Sequence, residues 1–270
     1  MPAEPDATPH RFDLMGVLHL LPLPGAPTPS PGLEAVEARA VADARTLVAG
    51  GIHTAIIENL GDAPFTGGRV GPETVAMMTR IAATVRREVP ALHLGVNVLR
   101  NDALAALSIA AAVGARFVRV NVLSGASWTD QGLIEGRARD LLLLRRRLKH
   151  DGIPSIAIAA DIRVKHGTPA GEADRVRLAH DTAGRGGADV LIVTGAATGA
   201  PTELSDIAAV RQAGGVPVWV GSGVTQGSIA TVRRSADGAV VGTALHDNAD
   251  IRAPLCQARV EAMVAAARLS

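Results

Sequence analysis

Eight short apolar runs punctuate the chain: Met15–Leu20, Thr54–Ile57, His93–Val98, Phe117–Val122, Ser155–Ala160, Val190–Val193, Val216–Val220 and Ala239–Val241. They are continuous rather than alternating, which is the pattern of parallel strands covered on both faces. Longer Ala-, Leu- and Arg-rich stretches follow them with helical spacing, near 33–50, 73–89, 102–113, 133–150, 172–186, 202–213, 226–235 and 250–268. Several of these end on glycine just before the next run, as in "AGGIHTAIIE", "AVGARFVRV" and "RQAGGVPVWV". Glycine there supplies the left-handed residue that closes a helix. Eight even strand–helix units with no linker predict a single (β/α)8 TIM barrel, with a doubly wound open sheet as the alternative that even spacing disfavours. Residues 13–270 are expected to form the barrel. Residues 1–12, acidic and Pro-rich, are expected to form a flexible arm. The Pro-rich Leu21–Gly32 has the composition of a linker, but its place after the first run makes it a strand-to-helix loop.

Composition narrows the function. The 270 residues are 47% hydrophobic but only 2% aromatic, with no Tyr, so aliphatic side chains must fill the interior. Lys and Arg number 27 against 26 Asp and Glu, a net charge of +1. That balance carries no electrostatic footprint for a nucleic acid polymer, and so few aromatics give no base-stacking platform. No apolar run reaches the ~18 residues that span a bilayer, so no membrane insertion is expected. The N-terminus lacks the basic start and apolar run of a signal peptide. The single cysteine, Cys256, cannot form an internal disulfide, and a cytoplasmic location is the simple expectation. Cys256 is expected to be a small buried hydrophobe of the C-terminal helix. A homo-oligomer through an outer helix, such as the Arg-rich Leu141–His150, stays open.

In a barrel, chemistry collects where strands open into the loops that follow. Polar residues stand at those positions in this chain. They are His19 after the first run; Glu58, Asn59 and Asp62 after the second; Asn97 at the third; Asn121 and then Asp130 at the fourth; Asp161, Lys165 and His166 at the fifth; and Thr194 at the sixth. Burying such groups without partners costs about 1–3 kcal/mol each, so their concentration at one mouth points to a ligand site. Glu58, Asp62, Asp161 and Lys165 are the catalytic candidates. His19, Asn59, Asn97, Asn121, Asp130, His166 and Thr194 are the substrate-binding ones. Asn101–Asp102 also fits an ordinary helix cap. The spacing of Asp161 and Lys165 suggests a carboxylate holding an ammonium charged, an electrostatic clamp rather than a Schiff-base nucleophile. His19, Glu58, Asp161 and His166 could hold a divalent metal, but no tight ligand spacing supports it, and the cofactor stays unknown.

The seventh and eighth runs end in glycine, at "WVGSGVT" and "DGAVVGTALH". Paired glycine loops at these two places expose backbone N–H groups as a phosphate cradle in many barrels. Gly221, Ser222, Gly223, Gly242 and Thr243 are therefore the phosphate-binding candidates. Long Gly-rich loops after the second and fourth runs, carrying Phe65 and Trp128, are candidate lids.

Taken together, "GVLHLLPLPGAP", "ENLGDAPF", "GVNVLRNDALAAL", "FVRVNVLSGASWTDQGLIEG", "ADIRVKHG", "RGGADVLIVTGAATG" and "GSGVT" resemble the BtpA/SgcQ family from about Met15 to about Asp247. The resemblance implies a phosphate-binding TIM barrel. It does not imply a reaction. The residues favour an enzyme on a phosphorylated sugar or nucleotide-like substrate, with glycosidic-bond cleavage or transfer slightly ahead of isomerisation or lysis. A non-catalytic assembly or ligand-sensing factor is the alternative, and a Schiff-base aldolase through Lys165 a lesser one.

Overall fold

A computed structural model describes residues 12–164, 166–171, 174–194 and 204–268. The expected arm therefore lies outside the described residues except for Phe12. Among the described residues, eleven strands run in order as β1 (Asp13–His19), β2 (Thr54–Glu58), β3 (His93–Asn97), β4 (Phe117–Val120), β5 (Ala126–Thr129), β6 (Gly132–Glu135), β7 (Ala157–Asp161), β8 (Gly167–Pro169), β9 (Val190–Thr194), β10 (Val218–Gly221) and β11 (Gly238–Val241). The helices are α1 (Leu33–Ala49), α2 (Pro72–Glu88), α3 (Ala103–Val113), α4 (Ala138–His150), α5 (Arg175–His180), α6 (Leu204–Gly214), α7 (Ile229–Ser235) and α8 (Gln257–Arg268).

Eight of the strands close on themselves in the order β1-β11-β10-β9-β7-β4-β3-β2, and every pair is parallel. This is the TIM barrel expected from the eight apolar runs. The register aligns inward positions in layers: Val17 with Ile56, and His19 with Glu58, then Glu58 with Asn97. The lower layers hold an apolar plug that includes Met15, Val17, Ile56, Phe117, Ile192 and Trp219. Phe117 and Trp219 meet edge to face at 5.3 Å. Glycine makes room for both rings in a chain that has few aromatics. A Cβ on Gly95 would stand 2.3 Å from the Phe117 ring, and one on Gly238 would stand 2.7 Å from Trp219. The helices pack their apolar faces on the outside of the sheet, in a larger second cluster. Asp102 caps α3, accepting from the Ala105 amide at 3.0 Å, and Gly114 closes that helix at φ 68°.

Three expectations change. The stretch 133–150 is not helical throughout. Its first residues form β6, which pairs antiparallel with β5, while β8 pairs with the other edge of β5. The loop after β4 is thus a hairpin joined by a strand from the loop after β7, a small sheet rather than a glycine-rich lid. Apolar and polar residues alternate over Ala126–Thr129, but the adjacent Leu133 and Ile134 break that period on the second strand, so the hairpin leaves little local signal. Trp128 is 57% exposed on this sheet, so it does not anchor the loop by burial. Finally, α8 begins at Gln257, and Cys256 is a half-buried residue just ahead of it rather than a buried one within it.

Candidate active site

A cavity of about 470 Å³ opens at the end of the barrel where the strands terminate. That volume lies within the range of small-molecule sites. Its wall includes His19 from β1, Glu58 from β2, Arg119 from β4, Asn121 just after β4, and Ser222, Gly223, Gly242 and Thr243 from the turns after β10 and β11. Arg100, Asp130, His166 and Phe65 complete the rim.

The strand period explains why these side chains meet. On β4, Phe117 and Arg119 sit two apart, with Asn121 two further on, so all three share the inner face. Phe117 stays in the apolar plug and Arg119 enters the layer above. The same step takes Ile56 to Glu58, Gly95 to Asn97 and Ala159 to Asp161. Two hydrogen-bonded groups result. In the first, the Asn97 amide donates to Glu58 Oε2 at 2.6 Å, with both residues buried. In the second, Asp161 accepts from Arg119 through Nε at 3.1 Å and Nη2 at 3.0 Å, and from the Asn121 amide at 2.8 Å. A two-point fork of this kind fixes direction as well as distance. Burial pushes the Asp161 carboxyl above the ordinary carboxylate range, while Arg119, Asn121 and Arg100 pull the other way. Burial also works against charge on Arg119, but the Asp161 and Glu58 carboxylates outweigh it and raise its pKa. For Arg100, burial lowers the pKa, and the charges of Asp161, Asp130 and Glu58 oppose that fall.

Other candidates take up different places. Asn59 and Asp62 fasten the loop after β2. Asn59 Oδ1 accepts from the Leu99 amide at 2.8 Å, its amide donates to Asp62 at 3.0 Å, and Asp62 also accepts from the Leu23 amide at 2.9 Å. Neither lines the cavity. Between them, Gly61 lies so close to the first loop that a Cβ would stand 2.4 Å from the Pro22 nitrogen and 2.5 Å from the Leu21 carbonyl carbon. Backbone cannot yield there as a flexible side chain would. Gly61→Ala is expected to cost about 1–3 kcal/mol in urea unfolding; an unchanged midpoint would show that the two loops are not packed this tightly. Thr194 donates to the Arg163 carbonyl at 2.9 Å beneath the mouth and does not line the cavity. Asn97 and Asp161 lie behind the lining, and Gly221 does too. Lys165 lies outside the described residues.

The turn after β10 holds two successive residues in the left-handed region, Ser222 at φ 74° and Gly223 at φ 71°. Ser is uncommon there. Its Oγ is buried and has no hydrogen-bond partner among the described residues. Gly242 opens the turn after β11, and a Cβ there would stand 2.8 Å from the His19 ring, so only glycine lets His19 lie against this turn. His19 in turn stacks on His246 at 5.7 Å. His246 is buried, and its Nδ1 must donate to the Ala253 carbonyl at 2.9 Å. Among the described residues, no three His, Cys, Asp or Glu side chains converge to hold a metal ion. Of the four metal candidates, Asp161 is already engaged by Arg119.

Arg119, Arg100 and His246 were not among the candidates read from the sequence. Arg119 has a signal: in "FVRVNV" a charge interrupts an apolar run on the same face as Asn121. Arg100 lies three residues beyond β3, where no period applies.

No helix among the described residues is long and apolar enough to cross a membrane. Comparison with known proteins adds four findings. The chain is 44% identical to the Photosystem I biogenesis protein BtpA of Synechocystis over 254 residues, which cover 94% of this chain and 87% of that one. It is 46% identical to an uncharacterized protein of Pyrococcus horikoshii, over 85% of this chain and 86% of that one. Among solved structures, 3-hexulose-6-phosphate synthase superposes with a TM-score of 0.56 at 18% identity, covering 94% of this chain and 99% of that one, a likeness of fold alone. The family model described as the BtpA family matches residues 11–269, and the chain belongs to that family.

Proposed function

We propose that this protein is an enzyme acting on a phosphorylated sugar or a nucleotide-like substrate. The observation that carries the reading is the shared cavity: Glu58, Arg119 and Asn121 on one side, and the two glycine turns with Ser222 on the other. The phosphate lies against the backbone of Ser222 and Gly223, both left-handed, and of Gly242 and Thr243 in the neighbouring turn. Glu58 faces the sugar and acts as general acid or base, oriented by Asn97. Asp161 does not react. It holds Arg119 and Asn121 in place, and the guanidinium stabilises negative charge that develops over the barrel floor. Glycosidic-bond cleavage or transfer is the reaction this set of carboxylate and amides suits best, with isomerisation or lysis next. The name of the solved neighbour, 3-hexulose-6-phosphate synthase, is in keeping with a phosphosugar in the mouth. A cytoplasmic location accords with the single unpaired cysteine.

A second reading is an assembly factor, suggested by the name of the Synechocystis relative. The exposed, cross-strand pair Trp128 and Leu133 on the small outer sheet favours a protein contact there. The two readings separate in a thermal-shift screen with phosphate, ribose 5-phosphate and nucleoside monophosphates. Catalysis requires stabilisation by at least one phosphorylated compound. A melting temperature unmoved by all of them would remove the enzyme reading.

A further inference from the structure

Two side-chain oxygens of the cavity wall are buried with no hydrogen-bond partner among the described residues, Ser222 Oγ and Asn121 Oδ1. They differ in what they can receive. A hydroxyl both donates and accepts, so Ser222 can answer a phosphate oxygen; a carboxamide oxygen only accepts. Which edge of the Asn121 amide is left for a ligand is fixed from behind. Both oxygens of Asp161 accept from Arg119, and Oδ2 accepts from the Asn121 nitrogen as well, at 2.8 Å. Turning the amide over would set its oxygen against a carboxylate oxygen with no proton between them. The N–H edge therefore stays on Asp161, and Oδ1 is the free edge of a residue that is only 5% exposed. The two carboxylates of the wall, by contrast, already hold a protein donor: Glu58 accepts from Asn97 and Asp130 from Gln131, each at 2.6 Å.

A buried acceptor without a donor is unfavourable, and the group that answers it must carry a hydrogen. An ionised phosphate, a carboxylate or a carbonyl oxygen carries none. A hydroxyl does. The barrel order says which part of a ligand this is. Counting round the closed sheet, β4 is four strands from β11, so Asn121, one residue past β4, stands across the barrel from the turn at Gly242 and Thr243. The strand that bears Glu58, β2, is two strands from each. A ligand that reaches from this turn to Asn121 therefore passes Glu58 along its middle.

Resting on the reading above of a phosphate at the β10 and β11 turns, we propose that Asn121 Oδ1 accepts a hydrogen bond from a sugar hydroxyl at the end away from the phosphate, on the anomeric carbon or the carbon beside it, and so selects substrates that carry that hydroxyl. Asn121 is then the residue that sets specificity, and Asp161 acts through it by fixing which edge of the amide is shown. A deoxygenated sugar fills the cavity, displaces water and leaves Oδ1 unpaired. A site built on a hydrogen bond rejects such an analogue far more strongly than an apolar pocket rejects a missing methylene.

The test is calorimetric titration of the intact protein with ribose 5-phosphate, 2-deoxyribose 5-phosphate and 1,4-anhydroribitol 5-phosphate, which lack neither hydroxyl, the 2-hydroxyl and the anomeric hydroxyl in turn. Loss of the donor to a buried acceptor is expected to weaken binding about 10- to 100-fold. One of the two analogues is thus expected to bind at least tenfold more weakly than ribose 5-phosphate, and which one it is identifies the hydroxyl. In Asn121→Leu, which removes Oδ1 but leaves both Arg119 bonds to Asp161, ribose 5-phosphate is expected to bind no better than that analogue, so the ratio falls to near one. A merely structural disturbance would weaken all three ligands alike and keep the ratio. Should Asn121→Leu not fold, the wild-type comparison still decides. Analogues that both bind wild type as tightly as ribose 5-phosphate, or a preference that survives Asn121→Leu, would overturn the proposal and leave the phosphate site standing. Absence of binding by all three ligands would instead overturn the reading of the mouth, and this inference with it.

Discussion

Replacing Asp161 by Leu is expected to destabilise the protein by about 3–5 kcal/mol, the cost of leaving a buried guanidinium without its carboxylate. Asp161 is almost wholly buried and accepts three hydrogen bonds, two of them from Arg119. A guanidinium cannot shed its proton in a protein, so Arg119 stays charged and costly at every accessible pH. The reciprocal change, Arg119→Met, behaves differently. It strands a carboxyl, which can take up a proton, and burial already raises the pKa of that carboxyl. Removing Arg119 adds to the rise. A folded pKa above the unfolded one means that the folded protein keeps a proton which the unfolded chain releases. The resulting stability is complete below the ordinary Asp pKa and is lost as pH climbs through the folded value. Arg119→Met is therefore expected to be mild near pH 4 and to approach the cost of Asp161→Leu above neutrality. The double variant should recover much of the loss, because no buried charge is left over. Urea unfolding of the three variants from pH 4 to 8 measures this. Equal, pH-independent losses would mean that the pair is not the buried unit described.

Glu58→Gln is expected to lower turnover about 10²- to 10⁴-fold, the usual contribution of a positioned acid or base. The amide keeps the size of the carboxylate and can still accept from Asn97, so the wall keeps its shape. Affinity for the ground-state ligand should move far less than the rate, because the proton-transfer step, not the fit, is lost. Single-turnover measurement on whichever phosphosugar stabilises the protein separates the two quantities. A variant with an intact rate would transfer the acid–base role away from Glu58.

The barrel is legible in the sequence because a short continuous apolar run and a helical stretch alternate eight times, with glycine closing several of the helical stretches. The layer of polar residues above the plug is legible for the same reason. His19, Glu58 and Asp161 follow the apolar Val17, Ile56 and Ala159 at the step of two that governs a strand, and Asn97 and Asn121 stand on the same faces two positions beyond Gly95 and Arg119. What lies behind the wall is less so. Asn59 and Asp62 look like site residues by position, but they are turned into a fastener by contacts with Leu23 and Leu99, which are 39 and 40 positions away from the residues they bond. Such pairings depend on loop closure and leave no local pattern. The antiparallel sheet over the mouth is also non-local, since β5 and β8 are joined across the whole of α4. Arg119 was concealed by its apolar neighbours, although its phase with Asn121 marks it. Ser222, Gly223, Gly242 and Thr243 stand at the turns after β10 and β11, where the glycine pattern put them.

The most direct measurement is calorimetric titration of ribose 5-phosphate into the wild-type protein and into Gly223→Val. Gly223 lines the cavity at φ 71°, a conformation a β-branched residue adopts only under strain. A phosphate seated at this turn requires saturable one-to-one binding to the wild type and a loss of at least tenfold in the variant, with the fold retained by circular dichroism. Absence of binding to the wild type, or equal affinity in the two proteins, would contradict a phosphate site at the mouth of the barrel.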